Sequence, residues 1–210
     1  MRYARVGDSS GPSAVAGPAD APLRATGGSA GAGAERYLRS VARPAEVAPR
    51  KMDVEARQLL ARLIRGERVA AIGTLRDGTP LVSMVLYTVS PDFLSFYIHV
   101  SRLAQHTQGL MQDPRVGLMI GEADSGKKNP QLLARLSIRG EALEVAPGSP
   151  DYEVVKSAYL AKYPDTAFNF TLPDFCLYRL RPLGARFVGG FGRIFDLAPE
   201  DLRRAAETHV

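Results

Sequence analysis

The 210-residue chain has no tryptophan, one cysteine and three histidines. A single cysteine, Cys176, excludes an internal disulfide. Its place inside an apparent strand reads as a buried, inert thiol rather than a nucleophile. His99 and His106 stand on either side of a turn, and neither a carboxylate cluster nor a second cysteine joins them, so metal ligation has no support. No serine sits in a nucleophile elbow, which removes a hydrolytic triad. No apolar run is long enough to span a membrane. Neither sign of charge dominates: 27 basic and 22 acidic residues leave +5. That excess forms no long run, so it argues weakly for an anionic small molecule and hardly at all for nucleic acid. Hydrophobic residues make up 45% of the chain, the share of an ordinary globular protein. These limits describe a soluble, cytoplasmic protein with a small-molecule partner, no nucleic acid and no membrane.

Residues 1–46 are rich in Gly, Ala, Pro, Ser and Arg without apolar periodicity. They read as a disordered, low-complexity extension ahead of a folded domain over 47–210. The extension suits a targeting segment, a linker-like tail or a mis-assigned start, but not a secretory signal, which needs an apolar core. Beyond it, Met52, Ala56, Leu59, Leu60 and Leu63 recur at helical spacing, and Gly66 stops the helix. Arg68–Arg76 reads as a strand, turned at Asp77-Gly78 into a second strand over Leu81–Val89. Leu132–Val145 is a long strand with Arg135, Ser137 and Arg139 on one face, and Gly140 marks a bulge or a bend at a barrel corner. Asp151–Tyr163 is amphipathic, with Val154, Val155, Ala158, Tyr159 and Leu160 at helical spacing. Phe175–Arg181 and Ala185–Val188 read as two strands with a turn at Pro182 and Gly184. Gly189–Arg193 is too glycine-rich for a regular strand, and its context is wrong for a dinucleotide fingerprint. A short polar helix closes the chain. Antiparallel strands joined by hairpins, with helices inserted, predict a closed or partly closed β-barrel of about six strands.

One stretch carries most of the chemical signal. Leu94, Phe96, Ile98 and Val100 alternate with Ser95, Tyr97, His99 and Ser101, giving a strand with an apolar and a polar face. Ser101 then stands as N-cap to a helical run over Arg102–Gln112, with Leu103, Leu110 and Met111 able to face a core. Asp113-Pro114 ends that run. Arg102, Gln105, His106 and Thr107 crowd its first turns, where free N–H groups and the helix dipole favour a phosphate. The same residues suit a capped, solvated surface helix equally well. Arg135 in mid-strand can meet a phosphate or a flavin carbonyl through a charge-assisted bond, or simply face solvent. His99 reads as hydrogen-bonded or ligand-lining rather than catalytic.

The order A-A-I-G-T-L, G-T-P-L-V-S-M-V, F-Y-I-H-V-S-R-L-A-Q-H-T, D-P-R-V-G-L-M, A-R-L-S-I-R-G-E-A and A-R-F-V-G-G-F-G-R-I resembles the FMN-binding split barrels. Within them it resembles the pyridoxamine 5'-phosphate oxidase-like proteins of the haem-utilisation (HugZ-type) branch, over roughly Val54 to Leu197. The resemblance implies a mainly β fold with flanking helices, an antiparallel six-stranded split β-barrel. It further implies a homodimer with FMN at the subunit interface and an FMN-dependent oxidoreductase of unknown substrate. By position it assigns Val82, Ser83, Met84 and Val85 to the isoalloxazine strand, and Tyr97 and Ile98 to the ribityl side. Ser101, Arg102, Leu103, Gln105, His106 and Thr107 fall on the phosphate turn, and Arg135 on the side chain reaching the flavin. Pyridoxamine-phosphate oxidases carry a tryptophan and an Arg-x-His near their C-terminus; this chain has neither, so pyridoxamine phosphate is not the expected substrate. Haem as ligand or substrate is the alternative, as is a non-catalytic flavin- or haem-binding module. Haem-degrading members carry a further C-terminal domain and a late haem-ligating histidine, and here His209 is the sole late histidine.

Overall fold

The computed structural model describes residues 51–127 and 129–208; the predicted extension over 1–46 and His209 lie outside them. Asp53 caps the first helix, α1 (Val54–Gly66), by accepting a hydrogen bond from Ala56 N at 2.7 Å. Ala56, Leu60, Leu63 and Ile64 form its buried stripe. Strand β1 (Val69–Arg76) then turns into β2 (Thr79–Leu86) at Asp77 (φ 51°) and Gly78 (φ 72°), the paired left-handed backbone of a type I′ hairpin. The predicted second strand does not run on to Val89. It breaks at Tyr87, and the two-residue β3 (Thr88–Val89) pairs instead with β4 (Phe96–Ser101).

That break shapes the whole molecule. With β5 (Arg115–Gly121), β6 (Arg135–Val145) and β7 (Phe175–Val188), the sheet runs β2-β1-β5-β6-β7-β4-β3. Leu86 and Thr88 flank one residue yet belong to opposite edges, so the sheet must curl until its edges meet at Tyr87. The seam is fastened by polar groups. Tyr87 is fully buried, and its hydroxyl donates to Ile64 O at 2.8 Å. Tyr163 Oη lies 2.6 Å from Arg68 O and 2.7 Å from Tyr87 O, and accepts from Tyr87 N at 3.3 Å. Lys162 Nζ donates to Glu67 O at 2.7 Å and sits 4.2 Å from the centre of the Tyr87 ring. Burial, followed by the charge of Arg68, pushes this amine down to about 8.

The antiparallel split barrel is as predicted, but the described residues form eight strands rather than six. What read as two strands with a turn at Pro182 and Gly184 is the single strand β7, paired with β6 along its length. Arg139 pairs with Gly184 and Gly140 with Pro182, which leaves Leu183 as an extra residue. Gly140 has a steric reason to be glycine, since a Cβ there would lie 2.4 Å from Arg181 O. Strand β6 starts at Arg135 rather than Leu132, because Pro130–Leu132 forms a 3-10 turn capped by Asn129. A strand not foreseen, β8 (Ile194–Leu197), returns along β7 through the glycine run, where Gly190 and Gly192 take positive φ.

Three further helices close the ends. Helix α2 (Gln105–Gln112) packs on β1, where Gly109 brings its backbone against Thr74 and Leu75. Helix α3 (Pro150–Lys162), capped by Ser149, leads into a 3-10 segment, Pro164–Thr171. Only Val155 and Tyr159 of its predicted apolar group are buried, whereas Val154 is 70% exposed. Helix α4 (Pro199–Ala206) buries Leu202 and Ala205, and the Arg65 guanidinium of α1 donates to Ala206 O at 2.7 Å. The barrel interior is filled by Ile72, Phe96, Ile98, Ile120, Leu136 and Phe187, all fully buried. Each contributes roughly 1.5–3 kcal/mol of burial.

Candidate functional site

The predicted phosphate turn differs from its sequence pattern at the start. Ser101 ends β4 and is not the N-cap; α2 begins at Gln105 with Ala104 before it. Ser101 Oγ accepts from Leu103 N at 3.1 Å and donates to Asp174 Oδ2 at 2.6 Å. Arg102 N donates to Asp174 O at 2.7 Å, and the Arg102 guanidinium is paired with Glu144. The two most obvious anion donors are thus engaged by carboxylates. Leu103, which the later start leaves ahead of the helix, and Met111, both predicted to face the core, are 76% and 59% exposed, while Leu110 is buried. Thr107 is fully buried, and neither its Oγ1 nor His106 Nε2 has a partner among the described residues. Desolvation lowers the His106 pKa, so a neutral imidazole is favoured at the helix start. Gln105 is exposed.

The supposedly polar face of β4 is covered. His99 stacks on Phe170 of the 3-10 segment at 3.7 Å between ring centroids and meets Tyr159 edge-on at 6.0 Å. It is 7% exposed, with neither ring nitrogen partnered among the described residues. Burial, with the charge of Lys156 second, pushes it down to about 4. Tyr97 is half-buried beside Val154 and Val155, and Ile98 points into the barrel. Cys176 is buried as predicted, and burial raises its thiol to about 11.

On β2 the alternation is clean. Val82 and Met84 are 72% and 70% exposed, Ser83 is half-buried and Val85 is buried. Cross-strand register extends that exposed face over the neighbouring strands. One row runs Met84, Ala71, Met119, Ser137 and Arg186; the next runs Val82, Gly73, Gly117, Arg139 and Gly184. Arg135 lies further along β6, opposite Gly121, and its Nη1 donates to Leu133 O at 3.4 Å. At the bulge, a concavity of about 470 Å³ opens among Gly73, Val82, Gly117, Arg139 and Leu183. The outer face therefore gathers Val82, Met84 and Arg135 but not the turn at Ser101–Thr107, which β4 and α2 carry. Sequence pattern alone picks out Arg135 and gives no weight to Gly73 and Gly117, although a glycine in mid-strand often marks a close approach by a ligand. Among the described residues no cluster of His, Cys, Asp and Glu suits a metal ion, and no helix is long and apolar enough to cross a membrane.

A curled antiparallel sheet with its edges joined at one residue and helices across its ends defines a split-barrel protein, here with an open apolar outer face. The chain belongs to the pyridoxamine 5'-phosphate oxidase family, whose pattern matches residues 56–189. It is 34% identical over 119 residues to the chloroplastic heme oxygenase HOZ of Arabidopsis thaliana, a stretch covering 57% of this chain and 35% of that protein. It is 26% identical over 127 residues to heme oxygenase HutZ of Vibrio cholerae, covering 60% and 71%. The chain thus spans about a third of the Arabidopsis relative. A heme binding protein from Mycobacterium smegmatis shares the fold with a TM-score of 0.64 at 24% identity, over 74% of this chain and 61% of that one. The resemblance to the haem-utilisation branch is borne out by these relatives.

Proposed function

We propose that this protein binds haem and serves haem breakdown, as a homodimer joined through the outer face of β2, β1 and β5. The observation that carries the reading is the exposed apolar face itself, with Val82, Met84, Met119 and Leu183 exposed together. Apolar area of that extent on one face marks a binding surface. Relatives that are heme oxygenases lend the reading further support. The donor set fits the macrocycle's apolar plane and its carboxylates, through these side chains and the exposed Arg135 and Arg139. Neither described histidine stands on this face, so the reading rests on the plane and the carboxylates and not on an imidazole. When bound, haem supplies the iron at which oxygen chemistry takes place. The chain supplies a water-poor seat and positive charge.

FMN is the second reading, favoured by the unpartnered Thr107 Oγ1 and His106 Nε2 at the start of α2. In that case Val82–Val85, Tyr97 and Ile98 would lie along the flavin, with Ser101–Thr107 at its phosphate and Arg135 at its ring. A cytoplasmic location accompanies either reading. Visible absorption of the purified protein, before and after adding haem and then FMN, separates them. A Soret band that saturates at a fixed ratio of haem to chain supports the first. Flavin uptake without haem uptake moves the assignment to the second.

A further inference from the structure

The concavity on the outer face has an unusual floor. Val82 and Arg139 stand in one cross-strand row, and the two positions between them are Gly73 and Gly117. With neighbouring strands ~4.8 Å apart, the row spans ~14 Å and its middle has no side chains. Ala71 lies beside it in the next row, between Met84 and Met119. The fold does not explain these glycines. A Cβ on Gly73 would meet only Gly117 O, at 3.9 Å, and one on Gly117 only Ile138 O, at 3.9 Å, both ordinary contacts. Neither takes the positive φ that favours glycine. Gly140, by contrast, is fixed by a clash with Arg181 O. What the two glycines keep clear is space outside the sheet, where a flat ring can lie against backbone.

Charge stands at one end of this trough. The neighbouring arginines hold carboxylates: Arg115 binds Asp113 through Nε at 2.9 and 3.0 Å, Arg181 binds Glu141 at 2.7 Å, and Arg186 binds Asp196 at 2.9 Å. Arg139 is exposed and has no acidic partner among the described residues. Its guanidinium extends over Gly184, where a Cβ would come within 3.1 Å of Nη2. The absence of a side chain at Gly184 leaves that group room to lie flat along the trough's end.

We propose that the Gly73–Gly117 trough seats one face of the haem macrocycle and that Arg139 takes a propionate carboxylate, a role resting on the haem reading above. A guanidinium meets a carboxylate through two parallel hydrogen bonds, and water excluded by the ring strengthens them. The assignment requires both ligand features: a flat apolar ring for the glycines and an anion for the arginine.

Titration of the full chain with ferric haem and with its dimethyl ester, followed at the Soret band, tests this. Arg139→Gln is expected to weaken haem binding about tenfold or more while leaving the ester's affinity as in wild type. Gly117→Val is expected to abolish uptake of both, with an unchanged melting temperature, since its side chain fills the trough and suits a strand. Wild-type affinity for haem in Arg139→Gln, or equal weakening of acid and ester, overturns the role of Arg139. Undiminished binding by Gly117→Val overturns the trough. No uptake of haem by the wild-type chain overturns the haem reading itself, and the seat with it.

Discussion

His99 shows how far one residue's surroundings can depart from its pattern. Alternation along β4 places it on a polar face, but the ring is stacked on Phe170 and shut in by Tyr159 and Phe175. With its imidazole held down to about 4 against an ordinary 6.5, the native state refuses a proton that the unfolded chain accepts between those values. Stability is therefore expected to fall as pH drops from 6.5 towards 4, with an upper limit of about 3 kcal/mol from this group. Urea unfolding at pH 7 and pH 4.5 measures the loss. His99→Phe keeps the stack and should lose much less stability between the two pH values. An equal loss in wild type and variant would place the acid sensitivity in the carboxylates.

Among elements, the end of α3 fastens the barrel seam. Tyr163 reaches the backbone of both Arg68 and Tyr87 with one hydroxyl, at the point where the two edges of the sheet meet. Tyr163→Phe leaves the buried carbonyl of Tyr87 and the partly buried one of Arg68 without that partner and should destabilise the protein by about 1–3 kcal/mol. Thermal unfolding reads the change. A variant as stable as wild type would mean that the seam is held without this hydroxyl, by the packing of Tyr87 on Phe96, whose rings lie 6.2 Å apart, and by the bonds of Tyr87 and Lys162. Helix α3 itself was legible through its apolar spacing. The partner of its last turn was not, because a tyrosine at a helix end carries no mark of what its hydroxyl will meet.

At the scale of the molecule, the proposed homodimer closes through the exposed face of β2, β1 and β5. Met84 stands on its outer strand at 70% exposure, with Val82 beside it at 72%. In a homodimer closed through this face, Met84→Asp would bury a carboxylate without a partner, at a cost of several kcal/mol, about enough to open the interface. Light scattering is expected to show a dimer for wild type and a monomer for Met84→Asp, while the melting curve stays cooperative. A wild-type monomer, or a dimer untouched by the substitution, would remove this face as the interface.

The sequence by itself determined the strands' two-residue rhythm, the Asp77-Gly78 hairpin, an irregularity at Gly140 and the burial of Cys176. Each follows from chemistry within a few residues: side-chain alternation, left-handed backbone at a turn, a missing Cβ, an apolar neighbourhood. It also carried the order of motifs that identifies the family. Only the tertiary structure decided that Tyr87 divides a strand between the two edges of the sheet, that Ser101 and Arg102 are held by Asp174 and Glu144, and that Phe170 covers His99. Those outcomes depend on groups far apart in the chain, and no local pattern encodes which distant partner arrives. The trough lies between the two: its glycines are plain in the sequence, but their alignment with Val82 and Arg139 exists only in the register of strands β2, β1, β5 and β6.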